Sequence, residues 1–222
     1  MDRIQAEENI KVIREIMERS ARTTVFSGLS GVIAGTLALI GCYLTALAWV
    51  SLPSSKENAA YLTIWLTVLA LSIVQDRFLA ERKARKSGQT TWVPATYQSI
   101  KALLPGVFLS FVLSMRALTL GEYDAIPALW TLGYGASLCA AGMFSIRELR
   151  IFGVVQLLTG AVGLFLVDIP PFPYWSQHGF DAAGIHIVPS LVAPLASLSL
   201  VALSFGIYHI IYGIIMWRKY GC

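Results

Sequence analysis

Apolar positions occur along this chain in long stretches that are separated by short clusters of charged residues. Six such stretches can be drawn, at about residues 23–50, 59–78, 102–120, 125–144, 151–167 and 188–217. A run of about 18 or more apolar residues with few charges is typical of a helix that crosses a membrane. The pattern therefore predicts an all-α, polytopic membrane protein with a transmembrane domain of six helices over residues 23–217.

The segment before the first span has a different, amphipathic pattern. Apolar side chains recur there at the three-to-four-residue spacing of one helical face: Ala6, Ile10, Ile13 and Met17. This predicts a cytoplasmic amphipathic helix within residues 1–22. Two roles are open for it: a helix lying on the membrane surface, or a docking helix for a cytoplasmic partner or a second copy of the chain. Its acidic side chains favour docking slightly, because anionic lipid would repel them.

The composition agrees with a membrane protein. Of the 222 residues, 56% are hydrophobic and only 14% are charged, against about 25% charged in globular proteins. These values disfavour a soluble enzyme, a disulfide-linked secreted domain and a disordered chain. The net charge of +4 comes from clusters between the spans, so we expect no nucleic-acid partner.

The basic residues predict the orientation of the spans. Of the 17 Lys and Arg residues, all except Lys56 and Arg116 lie on alternate sides of the predicted spans. Basic residues near the ends of spans are retained in the cytoplasm. We therefore expect both termini to be cytoplasmic, with residues 218–222 as a short cytoplasmic tail.

Small residues at the start of the first span predict close helix packing. They recur on one face as Ser27, Gly28, Gly31 and Gly35. Such a face lets another helix backbone approach closely, which favours association in lipid. Two partners are open: the glycine-rich fourth or fifth span of the same bundle, or a second copy of the chain.

A second candidate site lies near the outer end of the third span. Arg116 is four residues from that end, about 6 Å by helical rise, and Glu122 and Asp124 follow in the next turn. An ion pair that holds this turn is one interpretation. The other is contact with an anion or substrate, because charged residues inside a membrane are often functional.

His209 and Gln156 are candidate intramembrane polar residues. His209 lies nine residues before Arg218, about 13 Å into the membrane by helical rise, so it requires a polar partner. Gln156 lies at a comparable depth, and the two meet if spans five and six pack together. A proton relay, a haem or pigment ligand and a structural hydrogen bond are all open for His209.

The inner end of the second span combines an acid with a basic run. The basic run is suited to anionic lipid headgroups and consists of Arg82, Lys83, Arg85 and Lys86. The other interpretation of the run is that it determines the orientation of the spans in the membrane. Asp76 lies one turn inside the boundary and is a candidate inner end of a proton or cation path that includes His209 and Gln156.

The chain offers little for metal or catalytic chemistry. The longest outer loop contains metal-capable side chains whose spacing matches no specific motif: Asp168, His178, Asp181 and His186. Paired cysteines, a catalytic triad order and a phosphate-binding glycine loop do not stand out from the sequence. We therefore expect no metal, no cofactor and no catalytic residues.

Four segments resemble one known group of proteins. These are IREIMERS at 13–20, SGLSGVIAG at 27–35, AAGMFSIRELRIFG at 140–153 and GIYHIIYGIIMWRKYG at 206–221. Together they resemble an uncharacterised bacterial six-span inner-membrane protein family. The resemblance implies the same topology in a bacterial inner membrane, and it carries no activity.

Three functions are compatible with these features. The first is a non-enzymatic accessory or interaction subunit, with membrane lipids around it and a homodimer or cytoplasmic protein partner bound through residues 2–20. The alternative is a small transporter or proton-coupled permease that uses the intramembrane polar residues. The third is a haem- or pigment-binding redox protein that uses His209.

Overall fold

The computed structural model describes residues 5, 7–10, 12, 27–86, 94–120, 122–168 and 197–220. Within these ranges the regular structure is entirely helical, without strands, which confirms the predicted all-α class. The described N-terminal residues are helical, and Ile10 and Val12 are exposed. The rest of the predicted amphipathic helix, the predicted outer loop and the first nine residues of the predicted sixth span, 188–196, lie outside the described residues.

Six helices form the described bundle. They are α1 Gly28–Ser51, α2 Ser54–Lys86, α3 Pro94–Leu120, α4 Ile126–Ala141, α5 Arg147–Asp168 and α6 Ser197–Tyr220. A short 3₁₀ helix, Tyr123–Ala125, precedes α4. Within α6, the segment Ala202–Ile207 is π-helical. Five of the helices are long and apolar enough to cross a membrane, and α4 is a shorter apolar helix.

Two helices extend well beyond the apolar stretches that predicted them. The second span was expected over 59–78, yet α2 covers 33 residues. The third was expected over 102–120, yet α3 begins at Pro94. The flanks of α2 contain alanine, glutamate, lysine and arginine, which favour helix without being apolar. Proline is tolerated in the first turn of a helix, where its missing N–H is not needed.

Neighbouring helices run antiparallel, and their ends alternate. Ser30 near the start of α1 bonds to Asp76 in α2, and Ser99 of α3 bonds to the Ala141 carbonyl of α4. Lys219 of α6 forms an ion pair with Glu148 of α5. These contacts bring together the first residues of α1, α3 and α5 and the last residues of α2, α4 and α6. We call this the basic end, because it contains Arg77, Arg82, Lys83, Arg85, Lys86, Lys101, Arg147, Arg150, Arg218 and Lys219.

The small residues of α1 pack against α6. A Cβ atom added to Gly28 would lie 2.2 Å from the Trp217 backbone nitrogen, and one added to Gly35 would lie 2.5 Å from the Gly206 carbonyl oxygen. The sequence had suggested the fourth or fifth span as the partner within the bundle. Those two spans instead use their glycines against each other, as in the close approach of Gly135 to Leu157.

Candidate functional site

The π-helical segment of α6 organises a buried set of polar side chains in the bundle. The carbonyl oxygen of Ser204 accepts a hydrogen bond of 2.8 Å from Gln156 Nε2 of α5. The same oxygen lies 3.1 Å from Nδ1 of His209, one π turn further along α6. Hydrogen bonds in a π helix connect residues five apart, and Ser204 and His209 have this separation. Gln156 and His209 therefore meet at a shared backbone oxygen.

These contacts define the hydrogen-bonding roles of a neutral His209, the form that burial among apolar rings favours. A carbonyl oxygen only accepts hydrogen bonds, so Nδ1 of His209 carries the proton that points at Ser204. In the neutral ring, Nε2 is then an acceptor, and it lies 3.2 Å from the hydroxyl of Tyr134 in α4. The Tyr134 hydroxyl donates this bond. Both nitrogens of the neutral imidazole are then hydrogen-bonded.

Aromatic rings enclose the imidazole. The Tyr134 and Phe205 rings stack on it with centroid distances of 5.6 and 5.8 Å, and Phe152 meets it edge-on at 4.9 Å. Only 9% of His209 is exposed, and Gln156 is fully buried. The arrangement excludes water and holds the ring in one orientation.

A hydroxyl pair completes the site. Thr131 of α4 donates to the Pro127 carbonyl oxygen at 2.8 Å, and its Oγ1 lies 3.1 Å from Ser204 Oγ. Because the Thr131 proton is already used, the Ser204 hydroxyl donates to Thr131. We call the resulting set the polar cluster; it consists of Thr131, Tyr134, Gln156, Ser204 and His209. It joins α4, α5 and α6.

The polar cluster has limited capacity to move a proton. A proton that enters at Tyr134 can pass to His209, and the opposite nitrogen of the ring faces the Ser204 carbonyl. A carbonyl oxygen has no proton to pass onward, so the hydrogen-bonded path ends there. One group in the cluster stays open: Gln156 Oε1 is buried and has no hydrogen-bond partner among the described residues. The geometry is that of an interhelical hydrogen-bonded anchor.

Asp76 belongs to a separate polar contact at the basic end. Ser30 Oγ donates a 2.6 Å hydrogen bond to Asp76 Oδ1, and Gln75 Nε2 donates to Ser30 Oγ at 3.1 Å. These bonds join α1 to α2. The hydrogen bond of the Asp76 carboxylate goes to Ser30 and not to a member of the polar cluster. The structure therefore does not connect Asp76 to His209 or Gln156 by hydrogen bonds among the described residues.

The expected ion pair at the outer turn does not form. Arg116 is exposed and donates to Thr119 Oγ1 at 3.4 Å within its own helix. Asp124 accepts a 3.4 Å bond from Ser197 at the start of α6, and Glu122 is exposed. The interpretation failed because the 3₁₀ turn directs Asp124 to α6, whereas Arg116 lies on an exposed face of α3.

Burial of Asp124 predicts a dependence of stability on pH. Burial raises the pKa of its carboxyl group, and the hydrogen bond from Ser197 only partly opposes this. The native state therefore holds the proton more tightly than the unfolded chain, so stability falls as the pH rises from the ordinary carboxyl pKa through the raised one. We expect Asp124→Asn to raise the thermal unfolding midpoint at pH 7 and to have little effect at pH 4.

Unfolding of the detergent-solubilised protein at the two pH values measures this effect. Arg116→Gln is the matched control, because it removes a nearby charge without touching Asp124, and its midpoint should follow the unsubstituted protein at both pH values. An Asp124→Asn variant with an unchanged difference between pH 4 and pH 7 would contradict the assignment.

The basic run forms the last turns of α2. Arg82, Arg85 and Lys86 are exposed and Lys83 is half-buried. One turn earlier, Arg77 pairs with Glu81 at 3.5 Å. Because α2 stays helical to Lys86, the run is presented on a helix and not on a loop.

Metal-ligating side chains do not gather within the described ranges, where no three His, Cys, Asp or Glu residues form a group. The outer-loop candidates His178, Asp181 and His186 lie outside those ranges. Cys42 and Cys139 are both free thiols.

Sequence reasoning missed three members of the polar cluster: Thr131, Tyr134 and Ser204. The available signal was weak, because it consisted of hydroxyl residues inside the apolar stretches of spans four and six.

The chain matches no protein-family model, no curated protein and no solved structure. Its function is therefore argued from its own geometry, and the resemblance to a bacterial six-span family stays a prediction.

Proposed function

We propose that the chain is a six-span protein of a bacterial inner membrane and acts as a non-enzymatic subunit. Its α2 packs laterally, within the membrane, against another protein or a second copy of the chain. Both termini are cytoplasmic in this proposal, which places the basic end on the cytoplasmic side in accord with the retention of basic residues there. The 16-residue α4 is the fourth span in chain order and brings the number of spans to six. Its length of about 24 Å suffices with modest local thinning of the bilayer.

The observation that carries the proposal is the position of α2. Among the described helices, α2 packs closely against α1 alone. Within its most apolar window of 18 residues, no residue is buried. The exposed apolar side chains point to several sides of the helix and include Leu62, Leu66, Leu69, Ile73, Val74 and Phe78. Since helices in lipid associate by packing, α2 has most of its packing surface still available.

The interior of the bundle supports a role without catalysis. In the described part, the polar cluster binds the helices to one another, and the glycines bring their backbones into close contact. A groove among the described residues lies on the outside of α3 and α4 and is apolar. A subunit whose interior is filled in this way interacts through its outer surfaces.

Native mass spectrometry of the protein in a lipid disc from its own membranes tests the proposal. We expect a second protein or a defined dimer. Leu66→Trp should reduce the assembled fraction several-fold, because a larger ring disturbs helix packing on α2. Leu158→Trp is the matched control, since Leu158 of α5 is 60% exposed and Leu66 is 63% exposed. Monomers alone, or equal effects of both substitutions, would reject association through α2.

The N-terminal helix is tested separately by deleting residues 2–18. Loss of a cytoplasmic protein from the spectrum would assign that partner to residues 2–20. Retention of every partner after the deletion would leave α2 as the interaction surface and remove the N-terminal helix from the proposal.

A second candidate function is proton- or cation-coupled transport, which Asp76 favours. Its carboxyl group lies in an apolar helix and accepts a short hydrogen bond from Ser30, and acids within membrane helices often mark ion paths. Transport by purified protein in proteoliposomes should then be lost in Asp76→Asn. Transport that survives both Asp76→Asn and His209→Ala would reject these residues as the path.

The geometry disfavours the third function, a haem or pigment site at His209. Iron binds a free imidazole lone pair, and that of His209 Nε2 accepts the Tyr134 hydroxyl. A colourless preparation made with full cofactor supply would agree with this assignment.

A further inference from the structure

One face of α3 combines a cation with an apolar groove. Following the helix from its start at the basic end, this face contains residues that are three or four positions from a neighbour on the same face: Tyr97, Lys101, Leu104 with the adjacent Pro105, Phe108 and Phe111. A spacing of three to four residues places side chains above one another. The cation at Lys101 is therefore continuous with the apolar residues that follow it.

The groove is lined entirely by apolar side chains. It has a volume of about 630 Å³ and lies between α3 and Trp130 of α4, with walls from Leu104, Pro105, Val107, Phe108 and Phe111. Its shallow, open form suits a flexible chain that lies along the helix.

Two polar groups of Lys101 lie beside the groove, at the end nearer the start of α3. Lys101 Nζ lies 4.4 Å from the centre of the Tyr97 ring, which holds the ammonium group over that face, and it forms no ion pair in the described part of the chain. Pro105 has no N–H, so the carbonyl oxygen of Lys101 lacks its usual helical donor. A cation and a backbone carbonyl that lacks its i+4 donor thus occur together one turn from the groove.

We propose that α3 binds an anionic glycerophospholipid with hydroxyl groups in its headgroup. The phosphate pairs with Lys101, a headgroup hydroxyl donates to the Lys101 carbonyl, and one acyl chain fills the groove. Charge complementarity selects this occupant, because an apolar helix would leave the ammonium group unpaired and a zwitterionic lipid has its own cation beside the phosphate. The site uses α3 and α4 and no residue of α2, so it stands independently of the proposed association. Its assignment to the inner leaflet rests on the proposed orientation.

Native mass spectrometry of the delipidated full chain in a neutral detergent tests the site. The probes are phosphatidylglycerol and phosphatidylcholine with identical acyl chains. We expect preferential retention of phosphatidylglycerol. Lys101→Gln should lower that preference about fivefold, which is the contribution of one basic residue near an anionic surface.

Two further variants distinguish a specific site from general attraction to the basic end. Lys86→Gln removes the same charge from α2 and should leave the preference unchanged. Leu104→Trp occupies the groove and should reduce retention of both lipids while all charges remain. The proposal would be overturned if Lys101→Gln preferred phosphatidylglycerol over phosphatidylcholine as strongly as the unsubstituted chain does. Undiminished retention by Leu104→Trp would also overturn it, as would a groove that retains neither lipid because another protein segment covers it.

Discussion

Replacing Gly35 with alanine is expected to destabilise the bundle by about 1–3 kcal/mol, the usual cost of forcing extra volume into a packed interior. The added Cβ would lie 2.5 Å from the Gly206 carbonyl oxygen and 3.0 Å from the Ile210 backbone nitrogen. Both are backbone atoms of α6, so relief requires the two helices to separate. Separation would also disturb the π-helical segment that presents Ser204 to Gln156.

Gly41 provides a control in the same helix. A Cβ there would meet the Val68 side chain at 3.0 Å and the edge of the Trp65 ring, and both groups can shift. Gly41→Ala should therefore change the denaturation midpoint far less than Gly35→Ala. The experiment also separates the two interpretations of the small-residue face: a Gly35→Ala variant with unchanged stability but altered copy number would assign that face to dimerisation.

The second large effect is expected at His209. His209→Ala removes two hydrogen bonds and the ring packed among Tyr134, Phe152 and Phe205, and we expect a loss of about 2–4 kcal/mol. His209→Phe keeps an aromatic ring in the same space and loses only the hydrogen bonds. The bond to Tyr134 is interhelical and the bond to Ser204 lies within α6; because side-chain hydrogen bonds between membrane helices are individually weak, the cost of His209→Phe should be about 1 kcal/mol.

Denaturation of the two variants, together with Tyr134→Phe, measures these contributions. If Tyr134 acts through His209, then adding Tyr134→Phe to His209→Phe should cost almost nothing further, since the partner of the hydroxyl is already gone. Full additivity of the two substitutions would contradict the bond between Tyr134 and His209. Equal losses in His209→Ala and His209→Phe would show that the hydrogen bonds outweigh the packing.

The sequence was sufficient to predict apolar helices, because side chains in the hydrocarbon interior of a membrane are apolar and a spanning helix therefore shows as a long stretch without charge. It was less informative about their ends. The helix α2 continues through charged residues to Lys86, where helix propensity and not hydropathy determines the structure. The partner of α1 was also hidden, since spans four, five and six all contain glycines and only the tertiary packing decides which glycines meet.

The polar cluster was likewise predictable only in part. The number of residues from Arg218 to His209 and from Arg150 to Gln156 predicted similar depths in the membrane for the two side chains. In the structure both side chains contact one backbone oxygen. That this oxygen belongs to the Ser204 backbone could not be predicted, because a π-helical turn has no residue signature. At the outer turn, proximity in sequence suggested an ion pair for Arg116, but side-chain direction around the helix separated it from Asp124.

The π-helical segment also restricts which changes in chain length α6 can accept. Each of its turns holds one residue more than an α-helical turn, so deletion of a single residue between Ala202 and Ile207 would restore a regular helix. The later residues of α6 would then keep their faces, because the π turn takes up one extra residue without turning the rest of the helix. His209 would still face Tyr134 and Gly213 would still face Gly28, but the π turn that brings Nδ1 of His209 to the Ser204 carbonyl oxygen would be lost. A one-residue deletion between Tyr208 and Gly213, where the helix is already α-helical, would instead rotate every later residue by about 100° around the axis and separate Gly213 from Gly28.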